Sequence, residues 1–134
     1  MNDRPNSAEL LAAARGFLET ELIPSLADAR LKFQTLIVAN VLSIVEREIG
    51  LEEKHLDAEQ ADCTAALGTE KAWPTGLHER RLAIADANRE LCDRIRAGEY
   101  DEPAAFRRLS ELLQQSVTRK LEVANPKYLA NFGK

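Results

Sequence analysis

The hydrophobic pattern is densest between Leu31 and Ile49, LKFQTLIVANVLSIVEREI. On a helix, at about 100° per residue, Phe33, Ile37, Val38, Val41, Leu42, Ile44, Val45 and Ile49 form an apolar arc roughly half the circumference wide. Lys32, Leu36, Asn40, Ser43 and Arg47 form a narrow stripe opposite. So wide an arc predicts a helix covered on most sides, with at least two helical neighbours. Gly50 follows, placed to end the helix in the left-handed conformation that glycine adopts without steric cost.

The helical period recurs along the rest of the chain. Asn6 with Glu9 three residues later forms a capping box and opens a first helix over 7–22. Leu10, Leu11, Ala14, Phe17, Leu18 and Leu22 mark its buried stripe, and Pro24 closes it. The helix through Leu31–Ile49 starts near Asp28. A third helix, 51–67, is thinly apolar and reads as peripheral, ending at Gly68. TEKAWPTG, 69–76, is a loop. A fourth helix spans 77–97, with Leu77, Ile84, Ala85, Leu91, Cys92 and Ile95 on its inward side and Gly98 as its stop. A fifth is capped by Asp101, carries Pro103 in its first turn and runs to Ala124, where Asn125-Pro126 ends it. The tail KYLANFGK packs back as a short arm or reaches a partner. No stretch alternates with the period-2 pattern of a strand. Short connections favour antiparallel neighbours. The expected fold is all-α, one domain over 1–134: a mostly up-and-down bundle of four main helices plus one peripheral helix.

Composition narrows this picture. A chain of 134 residues, 45% hydrophobic and 30% charged, needs neither disulfides nor a metal to fold. The net charge of −4 argues against a nucleic-acid partner, which would require a basic face. Cys63 and Cys92 are far apart and form no C-x-x-C, which suggests a reducing compartment and buried thiols. No secretory hydrophobic segment opens the chain, and the apolar core of Leu31–Ile49 is interrupted by Asn40 and Ser43 and too short to span a bilayer. A cytoplasmic protein is expected.

Few residues suggest chemistry. Glu48 stands at the edge of the apolar arc, Asn88 in the middle of the fourth helix's inward stripe with Arg81 two turns earlier, and Lys120 among apolar residues of the fifth helix. If the second and fourth helices are neighbours, Glu48 could meet Arg81 or Asn88, because a buried carboxylate requires a cationic or amide partner. With Asn40 these residues form either a polar inter-helix pocket for a small ligand or a network that fixes helix register. His55 lies between Glu52 and Glu59 on one face, but no second His follows at i+4, and no metal site is expected. His55-Leu56-Asp57 matches the His-x-Asp of a kinase catalytic loop, yet Asp62 stands where that loop needs Asn and no glycine-rich phosphate loop is present. No nucleophile elbow, P-loop or dinucleotide fingerprint occurs, so neither a catalytic residue nor a cofactor is assigned. Trp73, Tyr128 and Phe132 are candidate interface anchors, with local packing as the alternative.

Four blocks, RPNSAELLAAARGFLETELIPSL, FQTLIVANVLSIVEREI, ANRELCDRIRAGEYD and VTRKLEVANPKYL, occur in order between Pro5 and Leu129. In these the chain resembles a small bacterial family of unknown function. Its members are helical proteins found alone, or beside or fused to aminoglycoside-phosphotransferase-like kinases and near acyl-CoA dehydrogenases. The resemblance implies an accessory role and no activity. Two readings stand: a helical interaction module that binds a partner enzyme or itself as a homodimer, and a small-ligand binder or unrecognised enzyme built around Glu48, Arg81 and Asn88.

Overall fold

The computed structural model describes residues 4–70 and 72–132. All regular structure among them is helical: α1 (Ser7–Phe17), a π-helical turn (Leu18–Leu22), α2 (Ile23–Ser25), α3 (Ala29–Leu67), α4 (Leu77–Arg96), α5 (Pro103–Ala124) and α6 (Pro126–Asn131). The all-α expectation holds. No helix among the described residues is long and apolar enough to cross a membrane.

Local signals explain most boundaries. The Asn6–Glu9 capping box forms in both directions, at 2.8 and 2.9 Å. The first helical run does not stop before Pro24. Its last turns widen instead, and the Ile23 amide donates to the Leu18 carbonyl five residues back. A proline in a regular helix clashes with the carbonyl four residues earlier, and the wider π turn relieves that crowding. Asp28 caps α3, its Oδ1 accepting from the Arg30 and Leu31 amides at 2.8 and 3.2 Å. Gly68 and Gly98 take left-handed φ values of +65° and +83°. At Gly98 the bonds from the Gly98 amide to Ile95 and from the Glu99 amide to Arg94 close a Schellman motif. The cap of α5 is Glu102, whose carboxylate accepts from the Ala104 amide at 3.0 Å, and not Asp101.

The largest departure from the sequence reading is at Gly50. It ends nothing: α3 runs through it for 39 residues, and Gly50 is not among the left-handed glycines. A single glycine costs a helix only about 1 kcal/mol, and the good helix formers Leu51, Glu52, Glu53 and Lys54 follow immediately.

The chain divides into two compact units, Met1–Leu51 with Glu122–Lys134, and Glu52–Leu121. In the second unit the last third of α3 packs with α4 and α5. Its core is Cys63, Leu67, Ala87, Leu91 and Leu109, with Ala66, Trp73 and Tyr100 against it. The segment 51–67 is therefore not peripheral. Leu56, Cys63 and Leu67 fall on one helical column, and all three are buried. Tyr100 Oη donates to the Ala66 carbonyl at 2.8 Å, and Arg94 Nη1 donates to the Leu67 carbonyl at 2.9 Å, satisfying the otherwise unpaired end of α3. Glu90, hydrogen-bonded to Arg94 at 2.6 Å, holds that guanidinium above its ordinary range.

Within this unit α3 and α4 run in the same direction. Arg80 bonds Asp57 and Gln60 near the start of α4, and Arg94 reaches Leu67 near its end. The connection between Leu67 and Leu77 is long enough to return about 10–15 Å along α3. Trp73 marks that path, its indole nitrogen donating to Thr64 Oγ1 at 3.3 Å. The α4–α5 connection is short, and α5 runs back, with Tyr100 near Ala66 and Arg119 paired to Asp62.

In the first unit the inward side of α3 is small and polar. Ala39 is 3% exposed, Arg15 Nε donates to Glu46 at 3.2 Å, and Arg47 donates to Ser43 and to the Val123 carbonyl at 2.6 and 2.7 Å.

Candidate functional site

The four residues of the expected pocket are all on the surface. Asn40 and Glu48 are exposed in the first unit, Arg81 and Asn88 in the second. Arg81 pairs with Glu52 across α3 and α4, and Asn88 Oδ1 lies 3.9 Å from Cys63 Sγ. Of the inward stripe expected for α4, Ile84 and Leu91 are buried, Ala85 is half-buried, and Leu77, Cys92 and Ile95 are exposed. The buried column is Ile84, Ala87 and Leu91, and Arg81, Asn88 and Cys92 are turned off it to one side. This turn of the inward face puts Ala87 where Asn88 is expected and removes the polar intrusion. It also leaves Cys92 exposed, against the expectation of two buried thiols, while Cys63 is buried. Lys120 is exposed as well, and Arg119 faces inward in its place.

Arg119 and Asp62 form the best-sheltered ion pair among the described residues, with 14% and 20% of their side-chain surfaces accessible. They border a small notch with Glu59, Cys63, Asn88 and Ser116. Arg119 Nε is buried without a partner, as is Gln60 Nε2. Asp62 is already paired with Arg119, which leaves Glu59 as the remaining charge at the notch. A shallower groove of about 340 Å³ runs beside Ala66, Tyr100, Arg108, Leu112 and Gln115, but the Tyr100 hydroxyl there is already bonded to Ala66. No group of three or more His, Cys, Asp or Glu that could hold a metal converges among the described residues.

The exposed aromatics divide. Trp73 is half-buried against the core of the second unit. Tyr128 and Phe132 are exposed on and just after α6, with ring centroids 5.6 Å apart.

The most distinctive surface is the helix expected to be the buried scaffold. Leu31, Phe33, Leu36, Ile37, Val38, Val41 and Ile49 are all exposed, Phe33 at 64% and Val41 at 50%. Of the apolar arc, Phe33, Ile37, Val38, Val41 and Ile49 are exposed, while Leu42, Ile44 and Val45 are half-buried. The reason lies in residue size. Thr35, Ala39 and Ser43 share the inward side, where small side chains let α3 approach its neighbours closely, and many of the larger apolar side chains stand outward. A soluble monomer rarely leaves so continuous an apolar stripe uncovered. The exposed surface overlaps the expected arc at Phe33, Ile37, Val38, Val41 and Ile49, and it also takes in Leu36, which the periodicity places opposite.

Residues 24–128 match a family model described as a domain of unknown function, DUF6285. The match begins at Pro24, so most of the first block of the resemblance lies outside it. No curated protein and no solved structure matches the chain.

Proposed function

The chain belongs to the DUF6285 family, and on that footing we propose that it is an accessory helical module that acts by protein–protein contact rather than by catalysis. The observation that carries this reading is the outward apolar face of α3 between Leu31 and Ile49. Charge is depleted at its centre and present at both ends, the arrangement of an interface core with a polar rim. The exposed Tyr128 and Phe132 pair adds a second apolar anchor in the same unit. The family resemblance supplies the enzyme partners to try first, a phosphotransferase-like kinase or an acyl-CoA dehydrogenase.

Light scattering on the chain alone, and mixed with each purified enzyme, tests the reading. An assembly heavier than its components, lost in Ile37→Asp, supports it. A strictly monomeric chain that adds mass to neither enzyme, and whose Ile37→Asp variant behaves identically, removes it.

A further inference from the structure

We propose that the outward face of α3 pairs with the same face of a second copy of this chain, antiparallel, about a two-fold axis that passes beside position 39. This rests on the interaction-module reading and names its occupant.

The register comes from the residues. Arg30, Gln34, Ile37, Val41, Ile44 and Glu48 are spaced 4, 3, 4, 3 and 4, the heptad seam of a helix pair, and all are exposed but the half-buried Ile44. The spacing is symmetric about position 39. An antiparallel copy therefore sets Ile37 opposite Val41, Gln34 opposite Ile44, and Arg30 opposite Glu48 of the second copy. The two-fold repeats each contact, as a closed dimer requires.

Charge selects this arrangement over the parallel one. Arg30 lies at one end of the stripe and Glu48 at the other, and neither has an ion-pair partner among the described residues. A parallel pair would set Arg30 against Arg30 and Glu48 against Glu48. The antiparallel pair sets each against its opposite. Arg15 and Glu46, which could have competed, are already bonded to each other.

Exposure agrees. Phe33, Ile37, Val38 and Val41 are 49–64% exposed. Ile37 and Val41 sit at the centre of the seam, with Phe33 and Val38 flanking it on either side, so a second helix laid on the seam would cover all four.

The test is sedimentation equilibrium of the full chain. Wild type is expected at twice 14.9 kDa, and Val41→Asp at the single mass with an unchanged circular dichroism spectrum. Since Val41 is half exposed, that variant should fold; Glu48→Arg provides a second, gentler perturbation. Glu48→Arg or Arg30→Glu alone should weaken the dimer about tenfold, and the double swap should restore it. In a Cys92→Ser background, mixing Ile37→Cys protein with Val41→Cys protein should give a cross-linked heterodimer under mild oxidation, more readily than either variant gives with itself. A wild-type monomer overturns the proposal, as does a dimer indifferent to Val41→Asp. So does preferential self-linking of Ile37→Cys, which would mark a parallel pair. A monomer that still binds one of the enzymes would overturn the dimer alone and leave the interaction-module reading standing.

Discussion

Gly50→Ala gives opposite signs for the two ways of reading the centre of the chain. At a left-handed helix end, an alanine is strained and the substitution destabilises by about 1–2 kcal/mol. In the interior of a helix, alanine is the better residue by about 0.8–1.0 kcal/mol. Gly50 lies inside the 39-residue α3, is not left-handed, and a Cβ built there meets nothing within 4 Å. No packing penalty offsets the helical gain, so Gly50→Ala should stabilise by about 0.5–1 kcal/mol, raising Tm by about 2–4 °C. Gly68 supplies the internal control. Its φ is +65° and its Cβ position is also open, so Gly68→Ala isolates backbone strain and should destabilise by about 1 kcal/mol. Urea unfolding followed by circular dichroism at 222 nm measures both, at one fixed protein concentration so that any association contributes equally. A loss of stability in Gly50→Ala comparable with that in Gly68→Ala would refute the continuous helix and restore the break at Gly50.

Three further outcomes follow from the same geometry. Leu91→Ala removes a side chain from the buried cluster around Ala87 and Leu109 and should cost about 2–5 kcal/mol in urea unfolding, whereas Leu82→Ala, at a 54% exposed site, should cost under about 1 kcal/mol. Asp28→Ala removes the acceptor of two amides at the start of α3 and should lower stability by about 0.5–2 kcal/mol, with Asp28→Ser recovering most of it. Exposed Cys92 should react promptly with a thiol reagent in the native protein, while buried Cys63 should react only as the second unit opens, a difference read by mass spectrometry of quenched time points.

Much of the fold was legible because the signals were local. The Asn6–Glu9 box, the Gly68 and Gly98 stops and the Asn125-Pro126 break depend on a few adjacent residues, and each acts as its chemistry dictates. Three features were not local. Gly50 resembles a helix end until the strength of the following turn is weighed against a single glycine. The parallel run of α4 beside α3 depends on how Trp73 folds the connection back onto Thr64, which no periodicity records. The face of α4 turned inward was misplaced because Ala87, a small side chain, is the tightest-packed position and carries little hydrophobic signal. Asn88 and Arg81 looked buried only on the wrong column. A pattern of large apolar residues marks what must leave water; it does not say whether the same chain or another molecule removes it.

That distinction bears on where function resides. Among the described residues, seven of the nine buried hydrophobic residues, from Leu56 to Leu109, belong to the second unit, and Ile23 and Ala39 belong to the first. The first unit nevertheless carries the longest exposed apolar stripe. Ordering a residue costs about 1–2 kcal/mol of conformational entropy, and apolar burial is the main term that opposes it. In the first unit Ile23 is buried and Leu42, Ile44 and Val45 are half-buried, but Leu31, Phe33, Leu36, Ile37, Val38, Val41 and Ile49 stay exposed and contribute less internal burial to offset that cost. If the proposed pairing forms, covering the outward face of α3 would add burial to this unit, and its stability would then rise with protein concentration. The second unit, with its sheltered Asp62–Arg119 pair and closed core, has no such need. Under the proposed pairing the outward face of α3 in the first unit would be the recognising surface, while the second unit keeps a buried core of its own.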